Sequence, residues 1–332
     1  MYHSVLDIRE TQAAVKYVKD YFEDALAKAL HLMRVTAPLF VPPQSGLNDC
    51  LNGTERPVQF DLLETGEEVQ IVQSLAKWKR YALGRYGFIP GEGLYTDMNA
   101  IRGDEITDAL HSVYVDQWDW EKVIAKEDRT PETLRQTVDA IYEVLKRTEK
   151  EVLRTFPKLA PQYQEYALPD KITYITAQEL EDLYPDLSPK ERENVYTRRC
   201  GALCLIGIGD TLRSGIKHDG RSPDYDDWTL NCDILLYYPV MDIAFEISSM
   251  GIRVDAAALT AQLSKAGCED RAQLPFHRSV LNGTLPYTIG GGIGQSRLCM
   301  YFLRKMHIGE VQVSVWPETQ EKEMRKKGCY LL

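Results

Sequence analysis

The chain has 332 residues, with 39 lysines plus arginines against 49 aspartates plus glutamates, a formal charge of −10. Its 44% hydrophobic and 27% charged residues are an ordinary globular composition, which excludes disordered, collagen-like and coiled-coil chains. The acidic balance speaks against non-specific nucleic-acid binding, and the most apolar stretch, Ile234 to Ile252, is broken by Asp242 and Glu246 and falls short of a membrane span.

Val15, Val18, Phe22, Ala25, Leu26, Ala29, Leu30 and Met33 recur at helical spacing and predict an amphipathic first helix. Pro38 and Pro42-Pro43 make residues 34–41 extended. Two strands are expected at Pro57 to Leu63 and Glu68 to Ser74, around a turn at Thr65-Gly66. A basic helix follows from Leu75 to Tyr86, stopping near Gly87, with Lys77, Lys79 and Arg80 readable as a solvated face. Strands at Leu94 to Arg102 and Val113 to Trp120 flank the polar segment Gly103 to Asp108. Thr130 as N-cap and Pro131 at the first helical position start a helix whose face is marked by Leu134, Val138, Ile141, Leu145 and Val152.

Thr176 with Glu179 and Ser188 with Glu191 fit capping boxes before two shorter helices. Ala202 to Ile208 is a buried strand, and Cys232 to Tyr238 pairs with Met241 to Ile247 around Pro239. Helices are expected at Ala256 to Lys265 and Ala272 to Leu281, a short strand at Tyr287 to Ile289, a last helix at Gln295 to Lys305 and a final strand at Val311 to Val315. Strands come in groups with helices between them and do not alternate one for one. That pattern predicts an α+β fold, one domain over residues 1–332 built on an antiparallel or mixed sheet flanked by helices.

Seven scattered cysteines, an odd number with no CxxC pair, argue for reduced thiols in a cytoplasmic protein and against a zinc site or a disulfide framework. The N-terminus shows no apolar core of a signal peptide, and the N-G-T triplets at Asn52 and Asn282 read as Asn-Gly turns.

Five patterns carry chemistry. In Gly290-Gly291-Gly292-Ile293-Gly294-Gln295-Ser296-Arg297, glycines between a strand and a helix let backbone approach a ligand, and the helix start aims Arg297 at a nucleotide. The run has neither the Gly-Lys-Ser/Thr of a P-loop nor the third glycine of a dinucleotide fingerprint; the plain alternative is a tight turn with a surface arginine. Arg102, ending a strand before Asp104 and Glu105, reads alone as a surface arginine, but it can fork onto a phosphate or carboxylate, and paired with Arg297 it would clamp a triphosphate without a lysine loop. Asp233 and Glu246, on adjacent apolar strands, need either an ion pair or a cation such as magnesium bridging phosphates. Val113, Val115, Gln117 and Asp119 share one strand face, where Asp119 can take an ammonium group or the strand end is simply wet. Ser248, Ser249 and Arg253 suit a small carboxylate, or form an ordinary strand-to-helix turn.

The run ending in Arg297 resembles the third signature motif of class II aminoacyl-tRNA synthetases, Arg102 the second, and Val35-Thr36-Ala37-Pro38 the proline-bearing first. Longer strings resemble one branch, the ammonia-dependent asparagine synthetases (aspartate–ammonia ligases). They are Ser74 to Arg80, Gly91 to Thr96, His111 to Glu121, Asp224 to Trp228 and Ser248 to Arg253.

The resemblance implies a class II synthetase-like catalytic domain acting as a homodimer, with no anticodon-binding domain. It implies an enzyme that converts L-aspartate, ATP and ammonia into asparagine, AMP and pyrophosphate. Arg102 and Arg297 are then expected to hold the phosphates, Asp233 and Glu246 to hold Mg2+, and backbone near Ser112 and Val115 to border adenine. Gln117, Asp119, Ser248, Ser249, Arg253, Ser74 and Lys79 would position aspartate, and Asp49, with Asp226 close by, would meet the ammonia. Two departures stand out: Cys50 follows Asp49 where an amide residue is expected, and the stretch from Trp228 to Asn231 is short. The competing readings are an aspartyl- or asparaginyl-tRNA synthetase core and a non-catalytic paralogue.

Overall fold

Helix α1, Ile8–Leu30, opens on a capping box in which Asp7 Oδ1 accepts from the Glu10 backbone N–H at 2.8 Å. In this computed structural model, which describes residues 2–49, 51, 55–164 and 166–332, Ala14, Val18, Phe22, Leu26 and Leu30 are buried at 3–4-residue spacing. Cys50 and the turn expected at Asn52 lie outside the described residues. The helix ends at His31 in a left-handed conformation, before the expected Met33. That turn releases β1, Leu32–Arg34, to pair in parallel with β5, Gly93–Ile101, leaving Met33 exposed.

A separate three-stranded antiparallel sheet is formed by β2 (Phe40–Val41), β3 (Gln59–Asp61) and β4 (Glu68–Ile71), the last two around the expected turn. Helix α2, Ala76–Tyr86, follows and ends at Gly87. After β5 come β6 (Tyr114–Val123) and α3 (Pro131–Thr155), which starts at Thr130 and Pro131 as expected. Strand β7, Thr173–Thr176, leads into α4 (Ala177–Leu183) and α5 (Pro189–Cys200), each opened by its capping box. Strand β8 is Ala202–Ile206, and β9 (Asp226–Tyr238) and β10 (Ile243–Arg253) are longer than the sequence suggested. Helices α6 (Ala256–Lys265) and α7 (Pro275–Leu281) precede β11 (Thr288–Gly294), α8 (Gln295–Phe302) and α9 (Glu318–Lys326).

The main sheet has eight strands in the order β1-β5-β6-β11-β10-β9-β8-β7. It is mixed: β1–β5 and β7–β8 pair in parallel, and the pairs between them are antiparallel. Two expectations are corrected. Val311 to Val315 is not a strand; Val313 and Val315 alternate but are exposed, so no apolar face is buried to hold them in a sheet. The glycine run is not a turn either, for Gly290 to Gly294 lies within β11.

One face of the sheet is hydrocarbon. Trp118 and Trp120 of β6, Ile234 and Leu236 of β9, Met250 and Ile252 of β10, and Ile289 and Ile293 of β11 pack there with α1, α3 and α8. Burying each such side chain stabilises by roughly 1.5–3 kcal/mol before chain entropy is counted. No helix among the described residues is long and apolar enough to cross a membrane.

Candidate active site

The other face of the same strands is polar. A strand reverses its side chains at every residue, so β6 sends Gln117, Asp119 and Glu121 away from the tryptophans. β10 sends Ser249 and Arg253 the same way, after a register shift between Glu246 and Ser248. Between them runs β11, paired at Gly290↔Glu121 and Gly292↔Asp119 on one side and Gly292↔Ser249 on the other. A β-carbon at Gly290 would stand 2.0 Å from Glu121 Oε2, and one at Gly292 would stand 2.4 Å from Gln117 Oε1. The glycines therefore make the floor over which the neighbouring strands' polar side chains close.

Helix α2 covers this floor. Its basic residues are not a solvated face: Lys77, Lys79 and Arg80 are all buried. Lys79 Nζ donates to the Gly291 carbonyl at 2.9 Å and lies 3.1 Å from Asp119 Oδ1. Burial lowers the Lys79 pKa, against the opposing pull of Asp119. Arg80 ties the Pro286 and Val254 carbonyls at 2.9 and 2.7 Å, a purely structural use. Lys77 reaches Asp224 at 3.4 Å.

These elements enclose a cavity of about 470 Å³. Of the expected site residues, Asp49, Ser74, Lys79, Arg102, Ser112, Val115, Gln117, Asp119, Asp226, Glu246, Ser249, Arg253 and Arg297 line it. Two do not. Ser248 turns to the other side of the sheet, opposite Ile234, and its hydroxyl donates to the Gly292 carbonyl at 3.0 Å. Asp233 is the cross-strand partner of Ser249 and shares its sheet face, but lies one strand further along, its carboxylate covered by Arg221 Nη2 at 2.6 Å.

Arg102 continues the β5–β6 pairing by one residue, its N–H donating to the Val113 carbonyl at 2.9 Å; its Nε is buried without a partner. Arg297, in the first turn of α8, lies 3.5 Å from Glu246 Oε2. Both guanidinium groups thus face one cavity. Asp119 Oδ2 and Asp49 Oδ2 are likewise buried without partners among the described residues. Unpaired buried donors and acceptors around a hole suit a polar, multiply charged occupant.

Arg253 is held on both sides. Glu121 takes its Nε and Nη2 in a fork, at 3.0 and 2.7 Å, and Asp226 accepts from Nη1. Burial penalises the Glu121 charge, yet Arg253 overrides it and holds the carboxyl below its usual range. For Asp49 burial wins: its pKa is raised despite Lys77, with the nearby Asp224 charge adding to the rise. Burial lifts Asp233 to about 7, which Arg221 only partly offsets and Glu246 reinforces. Burial also disfavours the Glu246 charge, but Arg297 and Arg221 bring its carboxyl below the usual value.

Sequence reasoning missed Arg221, Glu121 and Gln73. Glu121 had a signal, being the next same-face residue after Gln117 and Asp119 on one strand. Arg221 lies in an irregular segment between β8 and β9, and only its proximity in space to Asp233 and Ser249 reveals it. Gln73 precedes α2 with nothing around it to mark it.

A family model described as aspartate-ammonia ligase matches residues 9–328. An aspartate–ammonia ligase of Ruminiclostridium cellulolyticum is 60% identical over 332 residues, covering 100% of this chain and 97% of the relative. One from Bacillus cytotoxicus is 58% identical over 331 residues, covering 100% of both. Among solved structures, Entamoeba histolytica asparaginyl-tRNA synthetase in complex with asparaginyl-adenylate superposes with a TM-score of 0.66 at 13% identity, over 92% of this chain and 66% of that one. The Pyrococcus horikoshii asparaginyl-tRNA synthetase complexed with asparaginyl-adenylate gives 0.65 at 14% identity, over 92% and 70%. Both share the mixed-sheet fold.

Proposed function

We infer the activity from the premise that the chain belongs to the aspartate–ammonia ligase family: it joins ammonia to the side-chain carboxyl of L-aspartate and converts ATP to AMP and pyrophosphate. The observation that carries the reading in the structure is the convergence of Arg102 and Arg297 on one cavity whose floor is glycine backbone.

A carboxylate is a poor electrophile. Attack of its oxygen on the α-phosphorus of ATP expels pyrophosphate and leaves a β-aspartyl-adenylate with AMP as a good leaving group. Charge builds on phosphate oxygens in that step, and fixed guanidinium groups in a partly dry site stabilise it. Arg102 and Arg297 take this role, with the adenine bordered by the backbone near Ser112 and Val115. Asp119 receives the α-ammonium group of aspartate on its free Oδ2, and Lys79, Ser74, Gln117, Ser249 and Arg253 orient the carboxylates. Ser248 acts from behind, through the Gly292 carbonyl, and Asp226 by fixing Arg253.

The acid pair also suits a divalent cation. Glu246 raises the cost of ionising Asp233, and among the described residues no cluster of three or more ligating side chains would hold a metal without the nucleotide's own oxygens. Magnesium brought in on ATP would be held by Glu246, with Asp233, now covered by Arg221, on the neighbouring strand. Bound there, it would neutralise phosphate charge.

Ammonium outnumbers ammonia at neutral pH. Asp49, whose pKa is raised by burial, attracts the cation and accepts one proton. The freed lone pair attacks the β-acyl carbon, AMP departs, and a second proton leaves the nitrogen. The reading includes a cytoplasmic homodimer with no nucleic-acid partner; exposed Met33, Leu39 and Phe40 at and beyond the edge strand β1 support association there.

Purified protein given magnesium, ATP, aspartate and ammonium should form asparagine, AMP and pyrophosphate in equal amounts. Added tRNA should change nothing. Formation of aminoacyl-tRNA without free asparagine would refute the reading.

A further inference from the structure

Gln73 is fully buried and lines the cavity, yet neither Oε1 nor Nε2 of its amide has a hydrogen-bond partner among the described residues. A buried amide is normally satisfied. Its neighbour in space is similar: Asp49 is buried, lines the same cavity, and has Oδ2 unpaired. One side chain places both. Asn48 Oδ1 accepts from the Asp49 backbone N–H at 3.0 Å and from the Gln73 backbone N–H at 2.9 Å, while Asn48 Nδ2 donates to the Ile71 carbonyl at 3.3 Å. Arg102 then docks on the Gln73 carbonyl at 3.4 Å, which brings the phosphate-facing arginine to the same corner. A carboxylate oxygen, an amide oxygen and an amide N–H are thus buried without a partner, among the described residues, beside the expected reaction centre.

We propose that Gln73 is the second half of the subsite for the nitrogen donor. This rests on the reading of Asp49 given above. The Gln73 Oε1 accepts one N–H of the ammonium ion while Asp49 Oδ2 takes another. Two acceptors with one formal negative charge match a small cation that carries only donors. The Gln73 Nε2 donates in the other direction, to an acyl or phosphate oxygen of the adenylate, so one rigid amide aligns nucleophile and electrophile. Gln73 is a positioning residue, and its bonds do not change in the reaction.

The test is steady-state kinetics on Gln73→Met and Gln73→Glu, with aspartate-dependent exchange of pyrophosphate into ATP measured without ammonium. Methionine keeps the length and removes both polar atoms, so the buried position remains filled. Glutamate keeps the acceptor. Gln73→Met should raise the KM for ammonium about tenfold to a hundredfold, the loss of one charge-assisted hydrogen bond. The KM values for aspartate and ATP should move less than about twofold, while the exchange rate should fall by less than the ammonium KM rises, from the lost Nε2 contact to the adenylate. Gln73→Glu should keep the ammonium KM within about threefold of the parent. An unchanged ammonium KM in Gln73→Met overturns the proposal, and so does an equal rise for all three substrates. Asp49→Asn in parallel separates the two claims: if it alone leaves ammonium saturation intact, the Asp49 reading falls and Gln73 stands.

Discussion

The two faces of the eight-stranded sheet are made by the same strands and do opposite things. On β6, Trp118 and Trp120 disappear into hydrocarbon while Gln117, Asp119 and Glu121, interleaved with them, build a charged wall. On the tryptophan face the side chains are held mainly by apolar contact, although Trp120 Nε1 also lacks a hydrogen-bond partner among the described residues. On the cavity face Asp49, Asp119, Arg102 and Gln73 carry buried polar atoms with nothing to bond. Stability and the proposed chemistry are thus separated by one residue along the chain, and the charged groups without partners lie on the side proposed to take substrate.

The sharpest way to break this division is to cross it. Trp118→Ala on the core face should cost about 3–5 kcal/mol in chemical denaturation, while the turnover of the molecules that remain folded stays near normal. Glu121→Ala on the cavity face should cost a similar 3–5 kcal/mol, because Arg253 is left buried with half its partners, but here turnover should fall as well. Equal turnover in the two variants would mean that the faces are not functionally distinct.

Arg297→Ala comes next. Its partner Glu246 is only half-buried, so the melting temperature should hardly move, yet kcat should drop about a hundredfold to a thousandfold, the loss of roughly 2.7–4 kcal/mol of transition-state stabilisation. A stability loss without a rate loss would place Arg297 with the structural charges.

His307 sharpens the comparison from the structural side. It is buried with Nδ1 accepting from the Gly309 N–H at 3.0 Å, and burial lowers its pKa from 6.5 to about 4. The folded protein therefore binds fewer protons than the unfolded chain between those values. The contribution to stability is whole above about pH 6.5 and is lost as pH falls toward about 4. Denaturation at about pH 7 and about pH 5 should show a loss of about 2 kcal/mol that is absent in His307→Gln. The smallest effect is expected for Gly292→Ala, whose new methyl meets side-chain ends, Gln117 Oε1 and Asp119 Oδ1, that can shift. The KM for aspartate should rise about tenfold with stability changed by less than about 1 kcal/mol.

Much of the fold was legible because its signals are local. Thr130-Pro131, the capping boxes at Thr176 and Ser188, and the buried positions of α3 all follow from a few adjacent residues. What was illegible depends on partners far along the chain. Four glycines look like a turn until Glu121 and Gln117 are seen closing over them from β6. Lys77 and Lys79 look solvated until Asp224 and Asp119 arrive from distant strands and loops. Val313 and Val315 alternate like a strand but are exposed, with no apolar face buried to hold them in a sheet. At the site, the cavity gathers Arg102, Arg297, Asp119 and Asp49, while Asp233, on the same sheet face one strand away, is covered by Arg221. Arg221 stood in an unpatterned segment, so nothing in the sequence pointed to the guanidinium that neutralises it.

The central claim is that this cavity activates the side-chain carboxyl of aspartate on the α-phosphorus of ATP. The most direct measurement supplies aspartate carrying heavy oxygen in its β-carboxyl group and examines the phosphorus products by mass spectrometry. One heavy oxygen per molecule should be found in AMP, with none in pyrophosphate. Heavy oxygen in inorganic phosphate, with ADP as the nucleotide product, would contradict the account.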